Sequence, residues 1–198
     1  MAEKSIIFSG EMANAILDGR KTMTRRVMKP QPIAIPGVAY RYDGVQEGIH
    51  ALEFLNGGMP TEKYVPCGKP PYNPGDVLWV RETWRLVDFE HIDGDWNASV
   101  EYKDMSRGPR LHNLTDNERF GWRSPLHMPR SAARIFLRVT DVWADPLQAI
   151  TRKEGIIEGF PEGEGFVEYW DALNKKRGYG WNTNPWVWVY TFERITTE

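Results

Sequence analysis

Apolar and polar residues alternate along three stretches of the chain, at 77–82, 134–139 and 186–192. Because successive side chains of a strand point to opposite faces, this period of two predicts a β-strand in each stretch. The third stretch lies within "PWVWVYTF", which is apolar at nearly every position and therefore predicts a strand buried on both faces. A short apolar run at 6–8 predicts another strand near the start of the chain.

Two other stretches repeat their apolar residues at the spacing of an α-helix. The first, at 10–17, follows Ser9, a residue type that caps helices, and precedes Gly19, which can adopt the left-handed conformation that ends them. The second, at 166–174, is followed by basic residues and then by Gly178. Both stretches are predicted to be helices with one face toward a core.

A third, shorter helix is predicted after Thr151. Thr151 and Glu154 have the spacing of a capping box, in which each side chain accepts a hydrogen bond from the backbone amide of the other residue. This helix is expected to run toward Glu158 despite the glycine at position 155.

Two regions, 30–74 and 88–121, lack a sustained period. The first contains repeated proline and glycine, which predicts long irregular connections with a short hairpin around 38–46. The second is acidic, polar and glycine-containing, and strand character is predicted only around 98–103. Both regions are interpreted as insertions.

The order of the predicted elements is helix, strands, helix, helix, strand. This order favours an α+β fold, a small and mostly β barrel with flanking short helices and long loop insertions, over an alternating parallel sheet. A chain of 198 residues can be served by one core, so a single domain covering 1–198 is expected.

The composition is that of an ordinary globular chain, with 41% hydrophobic residues, 26% charged residues and a formal net charge of -2. This balance excludes a globally basic surface for nucleic acid or an anionic membrane. The lone Cys67 excludes an intrachain disulfide, and no Cys/His spacing matches a zinc site. No apolar run is long enough to span a bilayer and the start does not resemble a leader, so a cytoplasmic protein with no membrane partner is expected.

Basic residues are concentrated in three runs. They are Arg20, Lys21, Arg25, Arg26 and Lys29, then Arg119, Arg123, Arg130, Arg134 and Arg138, then Lys175, Lys176 and Arg177. One such run is typical of a solvated face. Three runs on one face would indicate a binding surface for an anion.

The run "GRKTMTRR" at 19–26 contains a candidate catalytic pair, Lys21 and Thr24. A neutral lysine can take the proton of a hydroxyl group and make that oxygen a nucleophile. Neutrality requires that burial, or neighbouring cations such as Arg25 or Arg26, lower the pKa of the lysine. The local pattern by itself favours the simpler interpretation, a basic turn after a helix.

Several common catalytic motifs are missing from the sequence. It contains no glycine-rich phosphate loop, no dinucleotide fingerprint, no G-x-S-x-G and no H-E-x-x-H. The four histidines are scattered through predicted loops and are interpreted as surface or structural residues, so no metal ligands are predicted. His127, which lies beside arginines in "SPLHMPR", is the histidine with the strongest indication of function.

Four segments together resemble the ASCH family of the PUA-like superfamily, and within it the members encoded by phages and prophages. They are "ILDGRKTMTRR", "PGDVLWVRETW", "LQAITRKEGIIEGF" and "GYGWNTNPWVWVYTFERI". The family's G-x-K-x-x-T-x-R element corresponds here to Gly19, Lys21, Thr24 and Arg26. Its glutamate in a helix after a strand corresponds best to Glu158, with Glu154 as the alternate.

The resemblance implies a compact β barrel whose cleft acts on RNA, nucleosides or modified bases. Relatives of this kind include small amidohydrolases for N(4)-acetylcytidine and a metal-assisted ribonuclease. By the resemblance, Lys21 would be the proton acceptor, Thr24 the nucleophile on the acyl carbon and Glu158 the proton donor to the leaving amine. The two insertions have no counterpart in those amidohydrolases, so the identity of the substrate does not transfer.

Other residues are candidates for contacting a nucleic acid or substrate, because guanidinium groups and flat aromatic rings bind phosphates and bases. They are Gly19, Arg25, Arg26, Arg81, Trp122, Arg123, Arg130 and Trp181. Trp122 and Trp181 lie among glycine, arginine and asparagine in predicted loops and are expected to be exposed, whereas Trp188 and Trp79 are expected in the core.

Three functions are open at this level. The leading one is an RNA- or modified-nucleoside-binding hydrolase, either an amidohydrolase on N(4)-acylcytidine-type substrates without a cofactor or a ribonuclease that could use a divalent metal. The second is a non-catalytic reader of RNA or a modified base. The third is a structural or partner-binding phage protein. The expected location is the cytoplasm of a bacterial host, and the sequence predicts no oligomeric state.

Overall fold

The structure is a computed structural model that describes residues 2–33, 39–46, 49–56, 59–114 and 121–196. The chain divides into two compact units, each built from discontinuous stretches. The first unit comprises residues 1–20, 75–138 and 193–198, and the second comprises residues 21–74 and 139–192.

Strands outnumber helices in the described residues, which confirms a β-rich α+β fold. The strands are β1 (Glu3–Ile7), β2 (Met23–Val27), β3 (Ala39–Gln46), β4 (Ile49–Asn56), β5 (Met59–Pro66), β6 (Val77–Arg81), β7 (Trp84–Ile92), β8 (Asp95–Tyr102), β9 (Arg107–Leu114), β10 (Phe136–Pro146) and β11 (Trp186–Ile195). The α-helices are α1 (Gly10–Leu17), α2 (Arg152–Ile157) and α3 (Phe166–Asn174). Within the described ranges, no helix has both the length and the apolar character needed to cross a lipid bilayer.

In the first unit, β6 lies between two partners. It runs parallel to β1 and antiparallel to the start of β10, where Trp79 is opposite Phe136. Helix α1 follows β1 as predicted, because the Ser9 hydroxyl oxygen accepts the Met12 amide hydrogen and Gly19 adopts a φ of 75° after the helix. Strands β7, β8 and β9 form an antiparallel sheet with Trp84 opposite Tyr102.

The main core of the first unit lies on the β7–β9 sheet. Its buried members are Trp84, Leu86, Ala98, Val100, Tyr102, Leu111, Met128, Ala132, Ala133 and Phe136. Full burial of each large apolar side chain contributes about 1.5–3 kcal/mol relative to exposure. The Tyr102 hydroxyl donates to the Ala132 carbonyl at 2.7 Å, so its polar end is satisfied inside the core.

In the second unit, β11 lies between β2 and β10 and pairs antiparallel with β2. Its central position explains why residues 187–190 are buried, as the continuous apolar run predicts. Helix α2 begins at the predicted capping box, in which the Thr151 amide donates to Glu154 Oε2 at 2.7 Å. Strands β3, β4 and β5 form an antiparallel sheet.

The structure corrects the interpretation of the two regions without a period. Residues 39–66 contain β3–β5 and residues 84–114 contain β7–β9, so both are sheets rather than irregular insertions. Their strand pairs contain register shifts, for example between Tyr42 and Val45. Each bulge moves the following side chains to the opposite face, so these strands lose the alternation by which a strand is recognised. Residues 34–38, 47–48, 57–58 and 115–120 of the two regions lie outside the described residues.

A closed barrel is not observed among the described strands. In the first unit, β7 and β9 are the open edges of their sheet, and in the second unit β3 and β5 are the open edges of theirs. A barrel requires every strand to have two neighbours. The strands that the sequence could not resolve form these two small sheets instead.

Candidate active site in the second unit

The end of helix α2 docks against the residues that lead into β2. The Thr22 amide donates to the Ile157 carbonyl at 2.9 Å, and Lys21 forms an isolated antiparallel bridge with Glu158, the residue that ends α2. These backbone contacts bring Lys21 and Glu158 together across 137 residues of sequence.

The ammonium group of Lys21 is buried in a small polar network. Its Nζ donates to Glu158 Oε2 at 2.8 Å, to the Glu158 carbonyl at 2.7 Å and to the Met23 carbonyl at 2.8 Å. Lys21 and Glu158 are each 3% exposed. The two side chains therefore form an ion pair that is almost fully removed from water.

Burial lowers the pKa of Lys21 below its ordinary value of 10.5. The Glu158 carboxylate opposes this shift through its charge and its hydrogen bond, while Arg26 and Arg25 add to it. The net direction is downward, because taking a charge out of water destabilises the ammonium form. A lowered pKa is the condition that a neutral lysine requires.

Arg25 connects Glu158 to a second carboxylate. Its Nη1 donates to Glu158 Oε1 at 3.2 Å, and its Nη2 lies 3.3 Å from Glu154 Oε2. The Arg25 side chain is fully buried, yet Nε and Nη2 make no hydrogen bond within the described part of the chain. Because Glu154 also caps α2, the helix start and the Lys21 network share one guanidinium group.

Thr24 lies on β2 with its hydroxyl group buried beside Arg26. Arg26 Nη1 donates to Thr24 Oγ1 at 3.0 Å and to the Arg25 carbonyl at 3.1 Å. Thr24 is opposite Tyr190 in the register of β2 and β11. The hydroxyl oxygen is therefore held by a cation that would stabilise negative charge on it.

One acid near this site was missed by the sequence analysis. Burial raises the pKa of Asp145, which lies on β10, while a 2.7 Å hydrogen bond from Trp143 Nε1 and the charge of Arg25 lower it. Glu154 adds to the upward shift. Only the i, i+2 spacing of Trp143 and Asp145 hints at this contact, and that spacing is too common to single out a site.

Trp181 also belongs to the second unit. It begins a short 3-10 helix, Trp181–Thr183, and its ring meets that of Phe166 edge-on at 6.3 Å between centroids. It is half-buried rather than exposed, because α3 supplies this aromatic neighbour.

The remaining predicted binding residues belong to the first unit. Gly19 ends α1, and Arg81 on β6 donates to the Leu126 carbonyl at 3.0 Å. Trp122 is 37% exposed, as predicted. Its ring has the Arg85 guanidinium at 4.6 Å and the Lys103 ammonium at 4.2 Å from its centroid.

Arg130 and Arg123 differ in their partners. Arg130 forms a bidentate pair with Glu3, at 2.7 and 2.6 Å. Arg123 stacks over the Trp84 ring at 4.9 Å and has no acidic partner among the described residues. Arg123 is thus the better candidate for binding an external anion.

Acidic residues of the same chain form ion pairs with most of the cations in the three predicted basic runs. The ion pairs are Arg20–Asp18, Lys21–Glu158, Arg25–Glu158, Arg130–Glu3, Arg134–Glu82, Arg138–Glu193 and Lys175–Asp171. Arg119 lies outside the described residues. These pairs oppose the idea that the runs are bare cationic surfaces.

Metal ligands do not cluster in the described residues, where no group of three or more His, Cys, Asp or Glu side chains is placed to hold an ion. Comparison with known proteins gave no match: no family model, no curated protein and no solved structure is significantly similar to the chain. The likeness to the ASCH family therefore stays a prediction from the sequence motifs.

Proposed function

We propose that the protein is an ASCH-like hydrolase that binds a modified nucleoside or RNA and cleaves an acyl–amine bond of the N(4)-acylcytidine type. Lys21, Thr24 and Glu158 would carry the reaction. The observation that supports this proposal best is the buried contact of Lys21 Nζ with Glu158 Oε2 at 2.8 Å. An amine and a carboxyl group this close, and away from water, can exchange a proton.

The proposed reaction begins with transfer of a proton from Lys21 to Glu158 along that hydrogen bond. Neighbouring side chains of a strand point to opposite faces, so Thr24 and Arg26 lie on the face of β2 opposite to Arg25 and its partner Glu158. The reaction therefore requires the Thr24 hydroxyl group and the acyl group to be brought to Lys21, whose amine then takes the hydroxyl proton as the Thr24 oxygen bonds to the acyl carbon. Glu158 then gives its proton to the leaving amine as the carbon–nitrogen bond breaks. Water hydrolyses the resulting ester, with its proton passing to Glu158 and the proton on Lys21 returning to the Thr24 oxygen.

The two arginines of β2 have different roles in this scheme. Arg26 holds the Thr24 oxygen at 3.0 Å and would stabilise charge that develops there during attack and release. Arg25 orients the Glu158 carboxylate at 3.2 Å and ties it to Glu154. Arg25 is accordingly a positioning residue.

Substrate entry must uncover the reacting groups, since Lys21, Thr24 and Glu158 are 1–3% exposed. An opening motion that admits the acyl group would leave the Lys21–Glu158 ion pair in place, because both charges belong to side chains of the protein. The same burial keeps bulk water away from the amine before the substrate arrives.

The test is to incubate the protein with N(4)-acetylcytidine and to follow release of cytidine by chromatography. The variants are Lys21→Met, Thr24→Val and Glu158→Gln, with Lys153→Met as the matched control, because Lys153 is an exposed lysine of α2. Each site variant should lose at least about 100-fold in kcat, while the control stays near wild type. Labelled single-stranded RNA, with and without manganese, tests the ribonuclease form of the proposal.

Turnover that survives in Lys21→Met or Glu158→Gln would contradict the mechanism. No turnover of any acylated cytidine or RNA by folded wild-type protein would contradict the enzymatic function itself.

A second candidate function is a non-catalytic reader of RNA or a modified base. It is favoured by the saturation of Lys21, whose Nζ makes three hydrogen bonds to Glu158 and Met23. Three acceptors use all the donors of an ammonium group, which can then serve to position the backbone. Tight binding without turnover, weakened by Arg26→Gln, would favour the reader. Neither binding nor turnover would favour a structural or partner-binding protein.

A further inference from the structure

The first unit contains a cleft whose lining includes none of the residues of the proposed reaction. Its volume is about 410 Å³. Buried side chains of the main core form part of its lining, including Trp84, Leu86 and Leu111. A cavity of this size suits a ligand of a few tens of atoms or fewer.

The polar lining of the cleft consists of cations and hydrogen-bond donors. It contains Arg110, Arg123, His112, His127 and Ser131, and none of the aspartates and glutamates that the structure describes lines it. Glu90 neutralises Arg110 through a contact at 2.5 Å. The Asn97 side-chain oxygen engages His112 Nδ1 at 2.8 Å, which leaves Nε2 of that ring for a ligand.

Arg123 and Trp84 form a stacked pair in the lining. The Arg123 guanidinium lies 4.9 Å from the indole centroid, and backbone hydrogen bonds in both directions hold the two residues together. Arg123 has no acidic partner among the described residues, unlike Arg110. Its fork of donors is therefore available to an anion, and its outer face can stack on a planar ring.

The indole Nε1 of Trp84 is an independent observation that favours a ligand in this cleft. Trp84 is 2% exposed, and within the described residues its Nε1 has no hydrogen-bond partner. A buried donor without an acceptor costs about 1–3 kcal/mol. A ligand with an acceptor in this cleft would recover that free energy.

We propose that this cleft binds a phosphorylated nucleoside, with the base packed on the Arg123–Trp84 stack and the phosphate held by Arg123, His127 and Ser131. The apolar wall accepts the ring, and the acid-free set of donors selects the anion. The nucleotide can be free or can be the end of a single strand. This inference does not depend on the proposed function, because the residues involved belong to the other unit.

The test is a titration of the protein with the four ribonucleoside 5′-monophosphates, followed through the imidazole NMR signals of its four histidines. At least one nucleotide should bind with a Kd below about 1 mM and shift the signals of His112 and His127. The signals of His50 and His91, which do not line the cleft, should stay in place. A short single-stranded RNA with a terminal phosphate distinguishes a strand end from a free nucleotide.

Arg123→Gln should weaken binding about tenfold or more, and Trp84→Phe, which keeps the ring and removes the N–H, about fivefold. Arg152→Gln, an exposed arginine of the second unit, is the matched control and should leave the Kd within about twofold. The histidine signals identify the cleft even if Trp84→Phe folds poorly, since they are read in the wild-type protein.

Three outcomes would overturn the proposal. They are the absence of shifts at His112 and His127 with every nucleotide and with the RNA, equal affinity in Arg123→Gln and wild type, and equal affinity for inorganic phosphate alone. The last result would mean that the cleft holds an adventitious ion only.

Discussion

Each unit contains a carboxylate that is buried against a cation, Glu158 against Lys21 in the second unit and Glu82 against Arg134 in the first, and the two pairs differ in what the cation can do. In the second unit Glu158 accepts from Lys21, and in the first unit Glu82 on the β6–β7 connection accepts two hydrogen bonds from Arg134, at 2.9 and 2.7 Å. Glu158 is 3% exposed and Glu82 is 0% exposed. Both acids lie in segments on which the ASCH-like resemblance rests, but only Glu158 is assigned a role by that resemblance.

The two pairs differ in whether the cation can lose its proton. Burial lowers the pKa of Lys21, and its amine is a usable base once neutral. Burial also lowers the pKa of Arg134, but Glu82 and Asp104 raise it more, so it lies above its ordinary value. An arginine does not lose its proton in a protein. The Arg134–Glu82 pair can therefore only stabilise the fold, whereas the Lys21–Glu158 pair can also move a proton.

The largest expected effect is on catalysis, and it comes from Lys21→Arg. This variant keeps a positive charge beside Glu158 but removes the ability to become neutral, so kcat for N(4)-acetylcytidine should fall by about 10²–10⁴-fold. The unfolding free energy should change much less. Turnover near the wild-type rate would show that catalysis does not require residue 21 to lose a proton.

The next effect is on stability, and it comes from the other pair. Arg134→Met leaves Glu82 buried without its cation, so the unfolding free energy should fall by about 3–5 kcal/mol in urea denaturation. At a temperature where the variant is folded, kcat should match wild type. A loss below about 1 kcal/mol would contradict the structural role. In the double variant Arg134→Met/Glu82→Leu, the loss should be smaller than in the single variant.

A smaller effect is the pH dependence of stability. Between the lowered folded pKa of Lys21 and its ordinary value of 10.5, the unfolded chain binds more protons than the folded chain. The unfolding free energy of wild type should therefore rise with pH through that window, relative to Lys21→Arg. Urea denaturation from about pH 7 to about pH 10 measures the difference. A constant or falling difference would contradict the shift.

The smallest effect isolates burial from charge. No charged group contributes to the pKa shift of Cys67. Burial alone raises the pKa of its thiol to about 11 from 9.0. At pH 8 the thiolate should be about 100-fold scarcer than in an open thiol, so alkylation should be slower by a similar factor. Reaction at the rate of a denatured control would show that burial in the second unit has little effect on ionisation.

Sequence signals that act over a few residues predicted the helix ends and several of the strands. Ser9, Gly19 and the Thr151–Glu154 capping box act over three or four residues, and each helix begins or ends where they place it. Alternation along β6 and at the start of β10, and continuous apolarity along β11, were enough to find these strands.

Long-range and irregular features were beyond the sequence. The bulges within β3–β5 and β7–β9 reverse the inward face partway along a strand, which erases the period-two pattern. The contact of Lys21 with Glu158 was reached only through a family resemblance, because nothing local links residues so far apart. Asp145 gave only the common i, i+2 spacing with Trp143, because its shifted pKa follows from burial and from neighbours that the fold supplies.

The most direct test of the account is the pKa of Lys21 itself. Protein labelled with ¹⁵N at lysine Nζ can be titrated by NMR, with the Lys21 signal assigned by its loss in Lys21→Arg. The account predicts that this signal titrates below those of the exposed lysines, and that Glu158→Gln lowers its midpoint further because the opposing carboxylate is gone. A Lys21 signal that titrates with the other lysines, or later than they do, would contradict the account.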